Sequence, residues 1–250
     1  MRLISWFVEP KGKIPDSEVI YAIGDLHGRD DLLARLHESI EEDIAGSPER
    51  KTTVIYLGDY VDRGPDSKAV IDRLLDQPIQ GAERIFLKGN HEEAMLRFLD
   101  GETSGGSWLN IGGGATAWSY GVSLRSETRE PTPPDVVRRQ LIEALPPRHM
   151  EFFRNLRLLH EAGDYLFVHA GIKPGRAIED QDPRDLLWIR GEFLNSRRRH
   201  EKIVIHGHSS SNQVVVKRNR ICVDTTAYAT DRLSCVVLEG DAYRFMSAEL

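Results

Sequence analysis

Cysteine is nearly absent: Cys222 and Cys235 are the only two in 250 residues, and both fall in apolar stretches that read as strands. A disulfide framework is therefore excluded as the basis of the fold, and buried, reduced thiols are expected. No apolar run approaches the roughly 18 residues that a membrane-spanning helix needs. The stretch Leu3–Val8 is too short for the apolar core of an export signal, and no small-residue cleavage site follows it. The cytoplasm is the expected location, and a membrane is not an expected partner. Net positive charge is missing as well. The formal charge of -6 argues against nucleic acid as a partner, because a phosphate backbone needs a basic face. The one dense basic cluster, Arg197-Arg198-Arg199-His200, reads as a solvated turn ahead of a docking site. There is also no low-complexity tail and no repeat of longer period.

What is present is an ordinary globular composition, 40% hydrophobic and 29% charged, long enough for one sizeable domain. The first hundred residues repeat one pattern: an apolar run, a short turn that ends in a polar side chain, then an amphipathic helix. Val19–Ile23 reads as a strand, followed by Gly24-Asp25-Leu26-His27-Gly28 and a helix with Leu32, Leu33, Leu36, Ile40 and Ile44 on one face. Val54–Leu57 runs into Gly58-Asp59, and the next helix carries Val70, Ile71, Leu74 and Leu75. Ile85–Leu87 runs into Gly89-Asn90-His91-Glu92 and a helix with Ala94, Met95, Phe98 and Leu99. The spacing fits consecutive βαβ units. Residues at about 101–150 break the rhythm and read as a helical insertion within a single domain spanning 1–250. Thr103–Ser107 is small and flexible in composition, and Thr132-Pro133 reads as the start of a helix with the stripe Val137, Leu141, Leu145. Beyond residue 158 the chain is strand-rich, with Tyr165–Val168, Ile203–Ile205, Val214–Val216, Ile221–Val223 and Ser234–Leu238.

Metal-ligand side chains follow these strands. Asp25 and His27 follow the first, Asp59 the second and Asn90 the third; His169 and His208 follow Phe167-Val168 and Ile203–Ile205. Singly, each has an ordinary explanation: an Asp after a strand is usually a turn or cap, and a His beside an apolar run is usually structural. Their joint occurrence, set among glycines that permit tight turns and close backbone approach, is not explained that way. In open α/β sheets, side chains at the carboxyl ends of strands converge on ligands.

Gly24-Asp25-Leu26-His27-Gly28, Gly58-Asp59-Tyr60-Val61-Asp62-Arg63-Gly64 and Gly89-Asn90-His91-Glu92 resemble the signature blocks of the phosphoprotein phosphatases, within the calcineurin-like metallophosphoesterases. His169-Ala170-Gly171 and Gly207-His208-Ser209 resemble the two downstream blocks. The likeness to bacterial and bacteriophage members extends to Trp108–Gly114, Leu187-Trp188-Ile189-Arg190 and Val223-Asp224-Thr225, covering most of residues 19–238. Thr226 and Asp231 depart from the family, which often has glycine at these positions.

The resemblance implies an α/β fold, a four-layer α/β/β/α sandwich of two mixed sheets. It implies two divalent cations, one held by Asp25, His27 and Asp59, the other by Asp59, Asn90, His169 and His208. Mixed carboxylate and imidazole ligands suit manganese, iron or zinc better than magnesium, with manganese the expected choice. Arg63 and Arg190 would clamp phosphate with Asn90 in support, His91 would protonate the leaving group, and Asp62 would orient His91. His206 is then structural, and Gly112–Gly114 serves helix packing, since no phosphate-loop context surrounds it. The activity implied is hydrolysis of phosphoserine and phosphothreonine in proteins by direct attack of a metal-bridging hydroxide, with a phosphorylated protein or peptide as partner. The alternative is a symmetrical bis(nucleoside) tetraphosphate hydrolase, whose family shares the metal blocks but typically has a small, non-acidic residue in place of Asp62. A binding module that has lost catalysis would show an eroded site, and all six ligand positions hold competent residue types.

Overall fold

A computed structural model describes residues 10–46, 49–103, 106–125 and 129–250. The apolar run Leu3–Val8, and Ser104 and Gly105 of the small-residue stretch, lie outside the described residues. Among the described residues, ten strands form two five-stranded sheets. The first sheet contains β1 (Glu18–Ile23), β2 (Lys51–Tyr56), β3 (Ala82–Phe86), β9 (Arg232–Glu239) and β10 (Ala242–Glu249), in the order β10-β9-β1-β2-β3. The second contains β4 (Leu159–Ala162), β5 (Tyr165–Val168), β6 (Ile203–His206), β7 (Val215–Lys217) and β8 (Arg220–Cys222), in the order β4-β5-β6-β8-β7. Parallel pairs β1·β2 and β2·β3 in one sheet, and β5·β6 and β6·β8 in the other, are flanked by antiparallel partners.

The helices are α1 (Asp30–Ala45), α2 (Ser67–Asp76), α3 (Asn90–Leu99), α4 (Gly106–Trp108), α5 (Gly114–Ser119), α6 (Pro134–Ala144), α7 (Pro147–Arg154), α8 (Pro183–Trp188), α9 (Gly191–Leu194) and α10 (Ala227–Thr230). Side chains alternate between sheet faces with a period of two, and the burial follows that rule. Val19, Tyr21 and Ile23 of β1 join Leu33, Leu36, Val70 and Leu74 of α1 and α2 in one apolar layer. Ile20 and Ala22 face the other way and meet Tyr165, Phe167, Ile205 and Ile221 of the second sheet. On the far side of that sheet, Leu166, Val168 and Val204 pack with Leu186 and Phe193 of α8 and α9. The order of layers is helices, sheet, sheet, helices: the four-layer sandwich of two mixed sheets.

Helices α4 and α5 cover residues 106–119 with a π-type turn over Leu109–Gly113 between them, and α6 and α7 cover most of residues 134–154. The helix expected from Thr132-Pro133 begins instead at Pro134, and Pro133 precedes it in an extended conformation. The residue before a proline is driven out of the helical region, which excludes Pro133 from the first turn. Meanwhile the Thr132 amide donates to Leu124 O at 2.9 Å, in a turn of its own. Cys222 and Cys235 are free and buried. Among the described residues, no helix is long and apolar enough to cross a membrane.

Candidate metal centre

Parallel strands bring their carboxyl ends to one edge, so the segments after β1, β2, β3, β5, β6 and β8 meet there. Asp25 joins the two sheets: both its oxygens accept the His208 amide, at 3.2 and 3.0 Å. The Asp59 carbonyl accepts the Leu26 and His27 amides at 3.1 and 2.8 Å, locking the first loop to the second. Holding polar side chains inward from such tight loops strains the backbone. Among the described residues, eight non-glycine residues have positive φ, and His27, Asp59, Asp62, Arg63 and His208 are five of them. Left-handed backbone is costly outside glycine and clusters at functional sites. Two glycines give the carboxylates room: a Cβ on Gly89 would lie 2.1 Å from Asp59 Oδ1, and one on Gly207 would lie 2.0 Å from Asp25 Oδ1.

The donor atoms fall into two groups sharing Asp59, and within each group they lie within 4.8 Å of one another. His27, Asp59 and His91 form one group; Asp59, His169 and His208 form the other, and all are buried. His27 Nδ1 donates to Val61 O at 2.9 Å, and His169 Nδ1 to Leu57 O at 2.8 Å. These bonds turn each Nε2 toward Asp59, at 3.5 and 3.4 Å from its carboxylate. Asn90 Oδ1 lies 2.9 Å from His169 Nε2 and 2.7 Å from His208 Nδ1. Asp25 belongs to neither group; its neighbours are the His208 amide and the field of Asp224. His91, expected as a proton donor, also reaches the first group, with Nε2 at 3.9 Å from Asp59 Oδ2.

The electrostatics call for positive charge here. Burial, and then the charge of Asp224, pushes the Asp25 carboxyl well above the usual carboxylate range. Burial raises Asp224 too. Burial opposes a proton on His169, yet the Asp59 carboxylate outweighs it and pulls that ring up to about 10. Burial drives His27 down to about 3, leaving a neutral ring able to ligate. His208 Nε2 is buried and has no hydrogen-bond partner among the described residues. Buried carboxylates, neutral imidazoles and an orphaned ring nitrogen fit a site for divalent cations with mixed oxygen and nitrogen ligands.

Two supporting groups were not singled out from the sequence as working parts. Glu92 is fully buried and accepts four amides: Asp59 and Gly89 at 2.9 Å, Tyr60 at 2.8 Å and Val61 at 3.2 Å. It sits three residues after Gly89, the capping-box position, and that spacing was the available signal. The second is the cage around Asp62. Its Oδ2 accepts Trp108 Nε1 at 2.9 Å and lies 2.7 Å from His91 Nδ1, and its Oδ1 accepts the Thr116 hydroxyl at 2.6 Å. Burial raises the Asp62 carboxyl, while these donors pull the other way. Burial also opposes charge on His91, but Asp59 and then Asp62 outweigh it and raise its pKa.

Arg63 and Arg190 are exposed at the rim. Arg63 Nη1 donates to Tyr228 OH at 3.0 Å, with the guanidinium 4.9 Å from that ring's centroid, and Tyr228 stands edge-on to His27 at 5.3 Å. The positive charges of Arg63 and Arg190 are felt at His91 and at His208 respectively. Trp188 lies 6.4 Å from His208 and donates to Glu93 Oε2 at 3.0 Å. Gly112 has φ 123, and its carbonyl accepts the Arg63 amide at 3.2 Å. Gly113 packs against the Trp108 ring. His206 points away from the centre, edge-on to Phe193 at 5.1 Å.

The chain is similar to known proteins. The chain is 33% identical over 165 residues to the symmetrical bis(5'-nucleosyl)-tetraphosphatase of Acidovorax ebreus (strain TPSY), across 64% of this chain and 47% of that relative. It thus spans about half the length of that curated relative. It is 40% identical over 78 residues to the PP2A-like serine/threonine-protein phosphatase PPG1 of Candida albicans (strain SC5314 / ATCC MYA-2876), across 31% of this chain and 17% of that relative. A candidate diadenosine tetraphosphatase of known structure has the same fold, with TM-score 0.64, 19% identity, and coverage of 95% of this chain and 98% of that one. Residues 19–243 match the calcineurin-like phosphoesterase family as a whole, and the chain belongs to that family.

Proposed function

We propose that this phosphoesterase hydrolyses phosphoserine and phosphothreonine in proteins, with His91 as the proton donor to the leaving alkoxide. The supporting observation is the buried Asp62–His91 pair, 2.7 Å apart, with Asp62 held on both oxygens by Trp108 and Thr116. A serine or threonine alkoxide is a poor leaving group at neutral pH unless it receives a proton. A nucleotide phosphate leaves as a stable anion and needs little such help, so a caged Asp–His pair serves the first substrate and is dispensable for the second. The bond from His91 Nδ1 to Asp62 leaves Nε2 facing the centre, where a leaving oxygen would lie.

In this reading Asp25, His27 and Asp59 hold one divalent cation, and Asp59, Asn90, His169 and His208 the other. Manganese is the favoured metal, and iron or zinc also suits the donor set. When bound, such cations supply Lewis acidity toward the phosphoryl oxygens and hydroxide at neutral pH. Arg63 and Arg190 receive the phosphoryl group from the rim, where a planar guanidinium matches two of its oxygens; Tyr228 steadies Arg63, and Asn90 supports the substrate beside His169 and His208. The tetraphosphatase relative supports the second reading, hydrolysis of a dinucleoside tetraphosphate.

Asp62→Asn in metal-loaded protein separates the two. On phosphoserine peptides kcat is expected to fall by roughly 10²–10⁴, the usual worth of general acid catalysis, with metal content unchanged. On p-nitrophenyl phosphate, whose leaving group is already acidic, the loss is far smaller. Equal losses on both esters, alongside faster wild-type turnover of a dinucleoside tetraphosphate, would establish the second reading instead.

A further inference from the structure

The sheets have a second end. At the amino-terminal ends of β5, β6 and β8, opposite the catalytic edge, a cavity of about 280 Å³ is lined by Lys11, Asp164, Arg199, His200, Lys202 and Arg218, with Glu201 and Asn219 completing the wall. The chain carries a net charge of -6, yet this wall is cationic. Among the described residues, Lys11, Arg199 and Arg218 form no ion pair. Lys202 is committed, to Glu161 at 3.3 Å and Gly163 O at 2.7 Å. The opposing carboxylates are Asp164, which accepts the Lys13 amide at 2.9 Å, and Glu201.

Next to Asn219, at the start of β8, lies a buried charge whose guanidinium stands 5.6 Å from the Phe193 ring centroid. Arg220 is 7% exposed and has no carboxylate partner among the described residues; its guanidinium donates to Leu194 O at 2.6 Å and to Asn219 Oδ1 at 3.3 Å. A buried cation without a counter-charge is costly, and an anion nearby offsets that cost. Asn219, equally buried, donates to Ser196 O at 3.2 Å and Arg198 O at 2.8 Å, so the basic loop is held in place from below. Arg199 and His200, half of the cluster that reads as a solvated turn in the sequence, thus line a shaped pocket.

We infer that this pocket is a second anion site, separate from the catalytic centre, in which Arg199, Arg218 and Lys11 bind a phosphoryl group. A phosphoryl dianion presents several acceptor oxygens, and guanidinium groups match two of them at a time. The ligand has two sources of the same chemistry: free inorganic phosphate, or a second phosphorylated side chain on a protein substrate. The latter source rests on the function proposed above; the site itself does not.

Equilibrium dialysis of metal-loaded protein with labelled inorganic phosphate, at low ionic strength to limit screening, tests the site. Two phosphates per chain are expected in the wild type. One is expected in Arg199→Ala/Arg218→Ala, with distal affinity down by roughly tenfold or more and turnover of p-nitrophenyl phosphate unchanged. Both positions are exposed, so the variant is expected to melt as the wild type does; Lys11→Ala, with a smaller loss, is the independent check. A single phosphate per chain in the wild type, or undiminished binding in both variants, overturns the inference. Kinetics then assigns the source. A KM advantage for doubly over singly phosphorylated peptides that disappears in the double variant identifies a substrate phosphoryl group. Equal KM values with the second phosphate still bound identify inorganic phosphate.

Discussion

Strand β5 shows two regimes within five residues. Tyr165 and Phe167 lie in the apolar layer between the sheets, where Ile55, Ile205 and Val236 surround them. His169, the next residue on the same face, stands among Asp59, Asn90 and His208. Between the sheets every preference agrees: apolar side chains, paired strands, alternation with a period of two. Past the strand ends each preference is overridden by positive φ, buried carboxylates and an orphaned imidazole nitrogen. Such departures concentrate where function needs them, and the surrounding packing must stabilise them. Stability and chemistry are therefore separable by position along one strand.

That separation can be broken from either side. The largest effect is expected at Asp59, which both donor groups share. Asp59→Asn should weaken metal binding by more than the 10–100-fold that loss of a supporting contact typically costs, and activity should fall with it. Metal analysis of the purified variant checks this, and two fully occupied sites would remove Asp59 from its shared role. Phe167→Ala, two residues before His169, should do the reverse. It should cost about 3–5 kcal/mol of stability, as large-to-small changes in a packed core do, while kcat of the folded protein holds; denaturant melts and kinetics measure the two. Glu92→Gln lies between the regimes. An amide cannot accept on both sides, so two of the four amide donors lose their partner. A loss of about 1–3 kcal/mol is expected, together with reduced turnover, because Glu92 ties the Asp59–Val61 loop to Gly89, the residue before Asn90.

The sequence shows the first regime better than its exceptions. The three βα units at the start are legible because helical stripes and glycine-bounded turns recur together, and the ligand types at their strand ends stand out for the same reason. Strands β4 and β10 are not, since both are edge strands: Leu159–Ala162 is half-buried and Ala242–Glu249 mostly exposed, so neither shows a continuous apolar run. The cage around Asp62 is hidden for another reason. Trp108 and Thr116 reach it from 46 and 54 residues away, across a helical segment whose periodicity is broken by the π-type turn and Gly112. Tyr228 reaches Arg63 from 165 residues away, beyond the range of any spacing rule.

The smallest expected effects concern the two departures from the family pattern, and there the structure separates residues the sequence treats alike. Thr226 and Asp231 have φ of 60° and 54°, both left-handed, which is why glycine is the frequent choice at these positions. Their side chains differ in what they give in return. Thr226 is β-branched and so poorly suited to this backbone, and its hydroxyl reaches Ser211 O only at 3.5 Å. Its amide bond to Asp224 Oδ1, at 2.8 Å, does not depend on the side chain. Thr226→Gly should therefore stabilise the protein by about 1 kcal/mol, raising Tm by roughly 2–4 °C for a chain of this size, with kcat retained. Asp tolerates left-handed backbone better, and Asp231 Oδ1 accepts Arg29 Nη1 at 2.7 Å, a buried guanidinium that also binds Ala227 O at 2.7 Å. Asp231→Gly removes that partner, and its conformational gain should be cancelled or exceeded. Thermal melts of the two variants side by side give the answer: equal stabilisation by both would mean that backbone strain alone governs these positions and that the Arg29 contact contributes nothing.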